Sequence, residues 1–211
     1  MKKILMAVAM LAAFATSAFA QGVNFGVNIS YQSEGMLGDN ADKFADDQTS
    51  SGFAAGLSAL VPFTPMISLH TGLDFQINTY SYTWKSGSKE YDEADLFLNL
   101  QLPLLARFNF TPGFFAEAGF DMQFNLLATH YDEALDEIDE DAWNDWKDWS
   151  FFGFGPSIGL GYTMWFGLEF SGRLTYGVIA AYDEKNVLGE SMTLHPLRFQ
   201  IDIAYWFGYK K

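Results

Sequence analysis

The chain has 211 residues, no cysteine, and a formal charge of −14 from 26 acidic and 12 basic side chains. Without cysteine there is no disulfide framework, thiolate zinc site or thiol nucleophile, and the acidic balance excludes a nucleic-acid-binding surface. Aromatic residues make up 18% of the chain and glycine is plentiful, a composition suited to short strands, tight turns and interfacial belts.

The first residues set the compartment. Lys2 and Lys3 form a basic start, Ile4 to Phe14 an apolar stretch, and Ala18-Phe19-Ala20 a small-x-small cleavage site. This pattern predicts a signal peptide over residues 1–20, cut before Gln21, and a single domain over 21–211. No other run approaches the ~20 apolar residues of a membrane helix. The exported part carries ten basic and 26 acidic residues, near −16.

From there a period of two recurs eight times, the mark of strands whose alternate side chains face different media. The first strand sets Val23, Phe25, Val27, Ile29 and Tyr31 against Asn24, Gly26, Asn28 and Ser30. The second has Phe53, Ala55, Leu57, Ala59 and Val61 on one face; the third sets Ile67, Leu69, Leu73, Phe75 and Ile77 against His70, Asp74, Gln76 and Asn78. The fourth, 94–110, is the clearest: Leu96, Leu98, Leu100, Leu102, Leu104, Ala106 and Phe108 oppose Asp95, Asn99, Gln101 and Arg107. The fifth sets Phe114, Ala116, Ala118, Phe120, Met122 and Phe124 against Glu117, Asp121, Gln123 and Asn125. The sixth alternates Phe152, Phe154, Ile158, Leu160 and Tyr162 with glycines and Ser157; the seventh sets Leu168, Phe170, Leu174, Tyr176 and Val178 against Glu169, Ser171, Arg173 and Thr175. The eighth sets Leu197, Phe199, Ile201, Ile203, Tyr205 and Phe207 against Arg198, Gln200 and Asp202. Each approaches or exceeds the 9–11 residues of a tilted membrane strand.

The connections alternate in kind. Short turns at 62–65, 111–113 and 163–166 follow strands two, four and six, whereas acidic blocks at 33–50, 85–93, 129–150 and 181–192 follow strands one, three, five and seven. The four blocks together carry −15, almost the whole exported charge. Short turns on one side and long polar loops on the other are the asymmetry of outer-membrane barrels, with the turns periplasmic. A soluble barrel would turn its apolar parity inward and clothe the other in lysines and glutamates. Here that parity is glycine, serine, asparagine and glutamine, which favours lipid outside and a polar lumen. The fold class expected is all-β: an eight-stranded antiparallel up-and-down transmembrane β-barrel.

PLLARFNF at 103–110, the turn with Gly113, FFAEAGF at 114–120, GFGPSIGLGY at 153–162 and the later strand with an inward arginine resemble, in order and spacing, the short outer-membrane β-barrels often labelled "porin family" or PorT-like. The resemblance covers the exported chain. It implies an eight-stranded outer-membrane barrel of a Gram-negative envelope and no catalytic residues to carry over. Such chains commonly finish on an aromatic residue, whereas here Phe207 is followed by Gly208-Tyr209-Lys210-Lys211.

Several side-chain groups bear on function. The inward charges Asp74, Arg107, Glu117, Asp121, Glu169, Arg173, Arg198 and Asp202 read as a plug, because eight strands leave an interior just wide enough for side chains to fill. Across the turn at Pro112, Arg107 and Glu117 are equidistant, so they should face each other and pair. His130 and His195, with Ser191, fall near the loop ends, the arrangement an acyl-transfer enzyme would use, while His70 reads as a lumen hydrogen-bonding residue. In the third block, Leu135, Ile138, Ala142, Trp146 and Trp149 recur at helical spacing and suggest a short amphipathic helix. Its Asp139, Asp141 and Asp145 lack the glycine and final glutamate of an EF-hand. Aromatics at strand ends (Tyr80, Tyr82, Trp84, Phe108, Phe114, Tyr162, Trp165, Tyr176, Tyr182, Tyr205) suit interfacial girdles.

The expectation is a structural or surface-interaction barrel with a plugged lumen and acidic extracellular loops. A small-solute channel and a lipid A-modifying enzyme are the alternatives. No catalytic residue, resident metal or cofactor is expected. The expected partners are outer-membrane lipids and divalent cations at the acidic loops, at Asp136, Asp139, Glu140 and Asp141, with no nucleic acid and a monomeric state.

Overall fold

The computed structural model describes residues 22–39, 49–86, 89–132, 137–139, 150–179, 182–185 and 191–209. The predicted signal peptide lies outside them. Strands β1 (Asn24–Asp39), β2 (Thr49–Pro62), β3 (Ile67–Ser86), β4 (Lys89–Asn109) and β5 (Phe114–Asp132) are followed by the short β6 (Glu137–Asp139). Then come β7 (Phe152–Thr163), β8 (Leu168–Tyr176), the short β9 (Tyr182–Lys185) and β10 (Ser191–Trp206). Eight of them pair antiparallel in the order β1-β2-β3-β4-β5-β7-β8-β10. β10 then pairs with β1 from Gly26↔Trp206 to Asp39↔Thr193, so these eight strands close into a barrel. The short β6 and β9 extend the ladder beside β5 and β10.

The burial is inverted relative to a water-soluble protein. Ile29, Phe53, Leu57, Phe75, Ile158 and Leu160 are exposed on the outer wall, Phe53 at 70%, while Gln76, Gln101 and Arg107 inside are at 1% or less. An apolar exterior round a polar interior is stable in hydrocarbon, where the ladder satisfies every backbone group. The predicted parity holds in all eight strands. Val23 is the exception at the margin: it precedes β1 and is 7% exposed, tucked at the turn end.

The three short turns lie at one end. In the first, the Thr64 hydroxyl accepts from the Met66 and Ile67 amides at 3.2 and 3.0 Å, a side chain standing in for a backbone turn. The second carries Gly113 at φ 99° and the third Gly167 at φ 94°, left-handed backbone where a side chain would be strained.

At the other end the strands outrun the expectation. β1 continues to Asp39, β3 to Ser86 and β5 to Asp132, so the acidic blocks at 33–50 and 85–93 begin as ladder rather than loop. The hydrophobic parity stops at the lipid boundary, but backbone pairing does not need it to continue. A register shift between Leu98 and Asn99 inserts an extra residue into β5, and Leu127, not Leu126, pairs with Leu98. In the third block the described residues Glu137–Asp139 form β6 against His130–Asp132, so Ile138 sits in a strand and not in the expected helix. The rest of that helix lies outside the described residues. At Glu137–Asp139 the ladder edge of β5 outcompetes helical periodicity.

Candidate functional site

Among the described residues, chemistry-bearing side chains converge in the lumen, where they stand in three tiers. Nearest the turns, Arg107 (β4) and Glu117 (β5) are register partners, as their spacing from the turn requires. Their N–O distance is 3.5 Å, longer than a hydrogen bond. The tighter partner of Arg107 is Glu169 on β8: Nη1 donates to Oε1 at 3.1 Å and Nη2 to Oε2 at 2.7 Å, a bidentate pair across the barrel. Arg107 Nη2 also donates to Thr163 Oγ1 at 2.7 Å, and its guanidinium lies 3.3 Å from the Phe115 ring centroid. Glu117 instead holds His70, with Oε1 2.8 Å from Nδ1. The pairing predicted for Arg107 is therefore shared, because a residue in a closed ring meets the far wall as well as its ladder neighbour.

This tier rests on apolar side chains that occupy the polar parity. Trp206 is fully buried, its Nε1 donating to Glu169 Oε2 at 2.8 Å and its ring edge-on to His70 at 5.6 Å. Leu60, Leu105, Phe115 and Ala204 surround this end of the lumen, all 6% exposed or less. Gly161 makes room for Phe115: a Cβ there would run into the phenyl ring and lie 2.7 Å from the Phe170 carbonyl oxygen.

The middle tier is a belt of amides and carboxylates. Gln76 donates to Gln32, Gln32 to Gln101 at 3.0 Å, and Gln101 to Asp121 at 2.8 Å and Gln200 at 3.2 Å. Gln200 continues to Asp202 at 2.5 Å. Arg173 lies between Asp121 (3.4 Å) and Asp202 (3.9 Å), and Asn28 joins Asp74 (2.9 Å) and Ser58 (3.0 Å). These bonds span β1, β2, β3, β4, β5, β8 and β10, so the belt crosses the whole bore.

The loop-end tier pairs Glu34 with its register partner Arg198 at 3.3 Å, and Tyr80 donates to Glu34 at 2.5 Å. Arg198 also donates to Gln123, which reaches Asn125 at 3.0 Å, and Asn125 bonds the Ser150 carbonyl at 2.6 Å. Tyr80 thus faces the lumen, edge-on to Phe97 at 5.2 Å, and is not a girdle residue. Above the middle belt lies a cavity of about 50 Å³ lined in part by Glu34, Asn99, Asp121 and Arg198.

The remaining candidates fall elsewhere. His195 Nδ1 is 3.0 Å from the Gly177 carbonyl oxygen and its ring stacks on Tyr176 at 5.9 Å. The side chains of His130 and Ser191 lie outside the described residues. Among the described residues no three His, Asp or Glu side chains are grouped to hold a metal ion. Phe108, Phe114, Tyr162, Trp165 and Tyr205 are exposed near the turn end, with Phe114 and Tyr162 rings 4.8 Å apart, as an interfacial girdle requires. Tyr82, Trp84 and Tyr182 have side chains outside the described residues.

The buried acids number seven among the described residues (Glu34, Asp74, Asp95, Glu117, Asp121, Glu169, Asp202) against three arginines. Sequence reasoning passed over Glu34, because it falls in an acidic block, and the cap formed by Trp206, Phe115, Leu105 and Leu60. The signal of the cap was present: each of its four residues is apolar on an otherwise polar parity.

The family described as outer membrane protein beta-barrel domain matches residues 13–182, more than half of the chain. Among curated proteins no sequence matches. Among solved structures, Neisserial surface protein A is 12% identical, with 87% of this chain and 96% of that one covered at a TM-score of 0.45. The attachment invasion locus protein Ail of Yersinia pestis is 8% identical (88% and 97% covered, TM-score 0.43). OprG of Pseudomonas aeruginosa is 14% identical (88% and 96%, 0.43). At these scores the neighbours carry no weight for function, and membership rests on the domain match and the closed, inverted barrel. The chain belongs to the outer membrane protein beta-barrel domain family and is a β-barrel protein of the outer membrane.

Proposed function

We propose that this barrel is a non-conducting, non-enzymatic structural protein, a monomer that holds four acidic blocks, partly strand and partly loop, outside the cell on a plugged, rigid stem. The observation that carries the reading is the closed turn end: Arg107 locked bidentate to Glu169, over Phe115 and against the fully buried Trp206. A solute path would have to break charge-assisted bonds in a low-dielectric bore at several levels. Because the turn end is periplasmic in such barrels, the acidic blocks face outward.

Purified barrel in planar bilayers should show no unitary conductance, while Arg107→Ala combined with Trp206→Ala should open steps; stable steps in the unmodified chain would overturn the plug. For the loops, divalent cations offer the attractive contact with anionic head groups that carboxylates alone lack, since calcium and magnesium favour oxygen ligands. Asp136, Asp139, Glu140 and Asp141 are the acids proposed to hold them; of these only Asp139 lies among the described residues.

A further inference from the structure

We propose that the cavity above the middle belt binds a hydrated monovalent cation, with sodium as the reference ligand. This goes beyond the structural role, since a stem with an empty cavity would present loops equally well. The cavity is about 50 Å³, room for roughly three or four water-sized groups or one small cation with part of its hydration shell. Two of its lining side chains each carry an oxygen that accepts no hydrogen bond from the described residues: Asn99 Oδ1 and Asp121 Oδ1. Both residues are buried beyond nine-tenths, at 1% and 3% exposure. They bracket Gln101 on the inner wall, whose amide donates to the other oxygen of Asp121. A buried acceptor left without a donor is costly, and a cation carrying part of its water shell meets one such oxygen directly and reaches another through water.

Charge selects the sign of the ligand. The lining holds Glu34 and Asp121 against Arg198, and both of its orphan atoms, Asn99 Oδ1 and Asp121 Oδ1, are acceptors. Glu34 is paired with Arg198 and the Oδ2 of Asp121 with Arg173, so what stays open in the cavity is acceptor capacity, which a cation meets and an anion would not. The donor set, one carboxylate oxygen and one amide oxygen completed by water, suits an alkali cation better than a divalent ion that needs several carboxylates.

The test uses the full folded barrel in zwitterionic micelles. Thermal unfolding is compared in sodium chloride and in tetramethylammonium chloride at equal ionic strength, the second cation being too bulky for the cavity. The wild type should show a saturable rise in Tm in sodium, and Asn99→Leu, which removes one orphan oxygen at similar size, should lose it. Equal Tm values in both salts, or a sodium response retained by Asn99→Leu, would overturn the proposal and leave protons or the acidic loops as the compensating partners. Crystals of the wild type soaked in thallium(I) read the site without any substitution. An anomalous peak between Asn99 and Asp121 supports it; peaks confined to the loops refute it.

Discussion

Replacing Glu169 separates what the barrel's ladder predicts from what its interior does. Glu169 is 2% exposed and accepts from four donors: Arg107 Nη1 at 3.1 Å, Arg107 Nη2 at 2.7 Å, Thr163 Oγ1 at 2.6 Å and Trp206 Nε1 at 2.8 Å. Glu169→Ala leaves the Arg107 cation without its bidentate partner and two neutral donors without an acceptor. Removing one side of a buried pair costs about 3–5 kcal/mol, and the stranded indole and hydroxyl put this change at the upper end. Glu117→Ala is the control. Glu117 stands 3.5 Å from Arg107, which keeps Glu169 and Thr163, so its main loss is the 2.8 Å contact to His70. That loss is worth about 1–3 kcal/mol. Reversible unfolding in urea with lipid vesicles, followed by the gel shift of folded against boiled barrel, measures both. If Glu117→Ala cost as much as Glu169→Ala, the cross-bore pair would not be the dominant contact, and ladder neighbours alone would account for the lumen.

Other outcomes follow from the same geometry. Ile201 is 47% exposed on the outer wall and Leu100 shares that face, so arginine at either should cost about 2–4 kcal/mol in the same unfolding assay. Gln101→Arg should be milder, since the new cation would meet Asp121, which already accepts from Gln101 at 2.8 Å; the reverse order would invert the membrane assignment. Gly161→Ala, driven against Phe115 and the Phe170 carbonyl, should lose about 1–3 kcal/mol, whereas Gly35→Ala, with nothing within 4 Å of the added carbon, should be neutral. Equal effects would mean that Phe115 does not need the Gly161 gap. Millimolar calcium should raise the thermal stability of the barrel, and neutralising Asp136, Asp139, Glu140 and Asp141 should abolish the effect by calorimetry. An unchanged response would reduce the third block to a solvated surface.

Much of this was legible because a membrane barrel imposes one rule on every residue of its wall: even and odd positions meet different solvents. That rule alone placed Arg107 opposite Glu117 and turned Asp74, Gln101, Arg173 and Asp202 inward. It failed where a second constraint took over. Contacts across the bore, such as Arg107 with Glu169, depend on how eight strands stagger, which no single strand records. Tyr80 shares the parity of Gln76 and Asn78, yet its aromatic character suggested the girdle; the lumen acid Glu34 keeps it inside. The strand ends were misjudged for the opposite reason, since ladder hydrogen bonds persist into water after the apolar alternation has stopped. The added residue, Leu126, left no mark in the sequence pattern, because it and the adjacent Leu127 read alike on either face.

The closing seam has a consequence for how the molecule is made. The backbone amide of Trp206 donates to the Gly167 carbonyl at 2.9 Å and that of Phe207 to the Phe25 carbonyl at 2.7 Å, while the Trp206 indole completes the contacts around Glu169. One strand end thus joins the last ladder to the first and caps the bore in the same movement. Until β10 docks, β1 and β8 each present an open edge, and the Arg107–Glu169 tier stands uncovered. Contacts between residues so far apart in sequence carry the largest loop-closure cost, so closure of this seam is expected late in assembly. Sealing of the turn end and loss of the open edges are then expected to coincide, because Trp206 takes part in both.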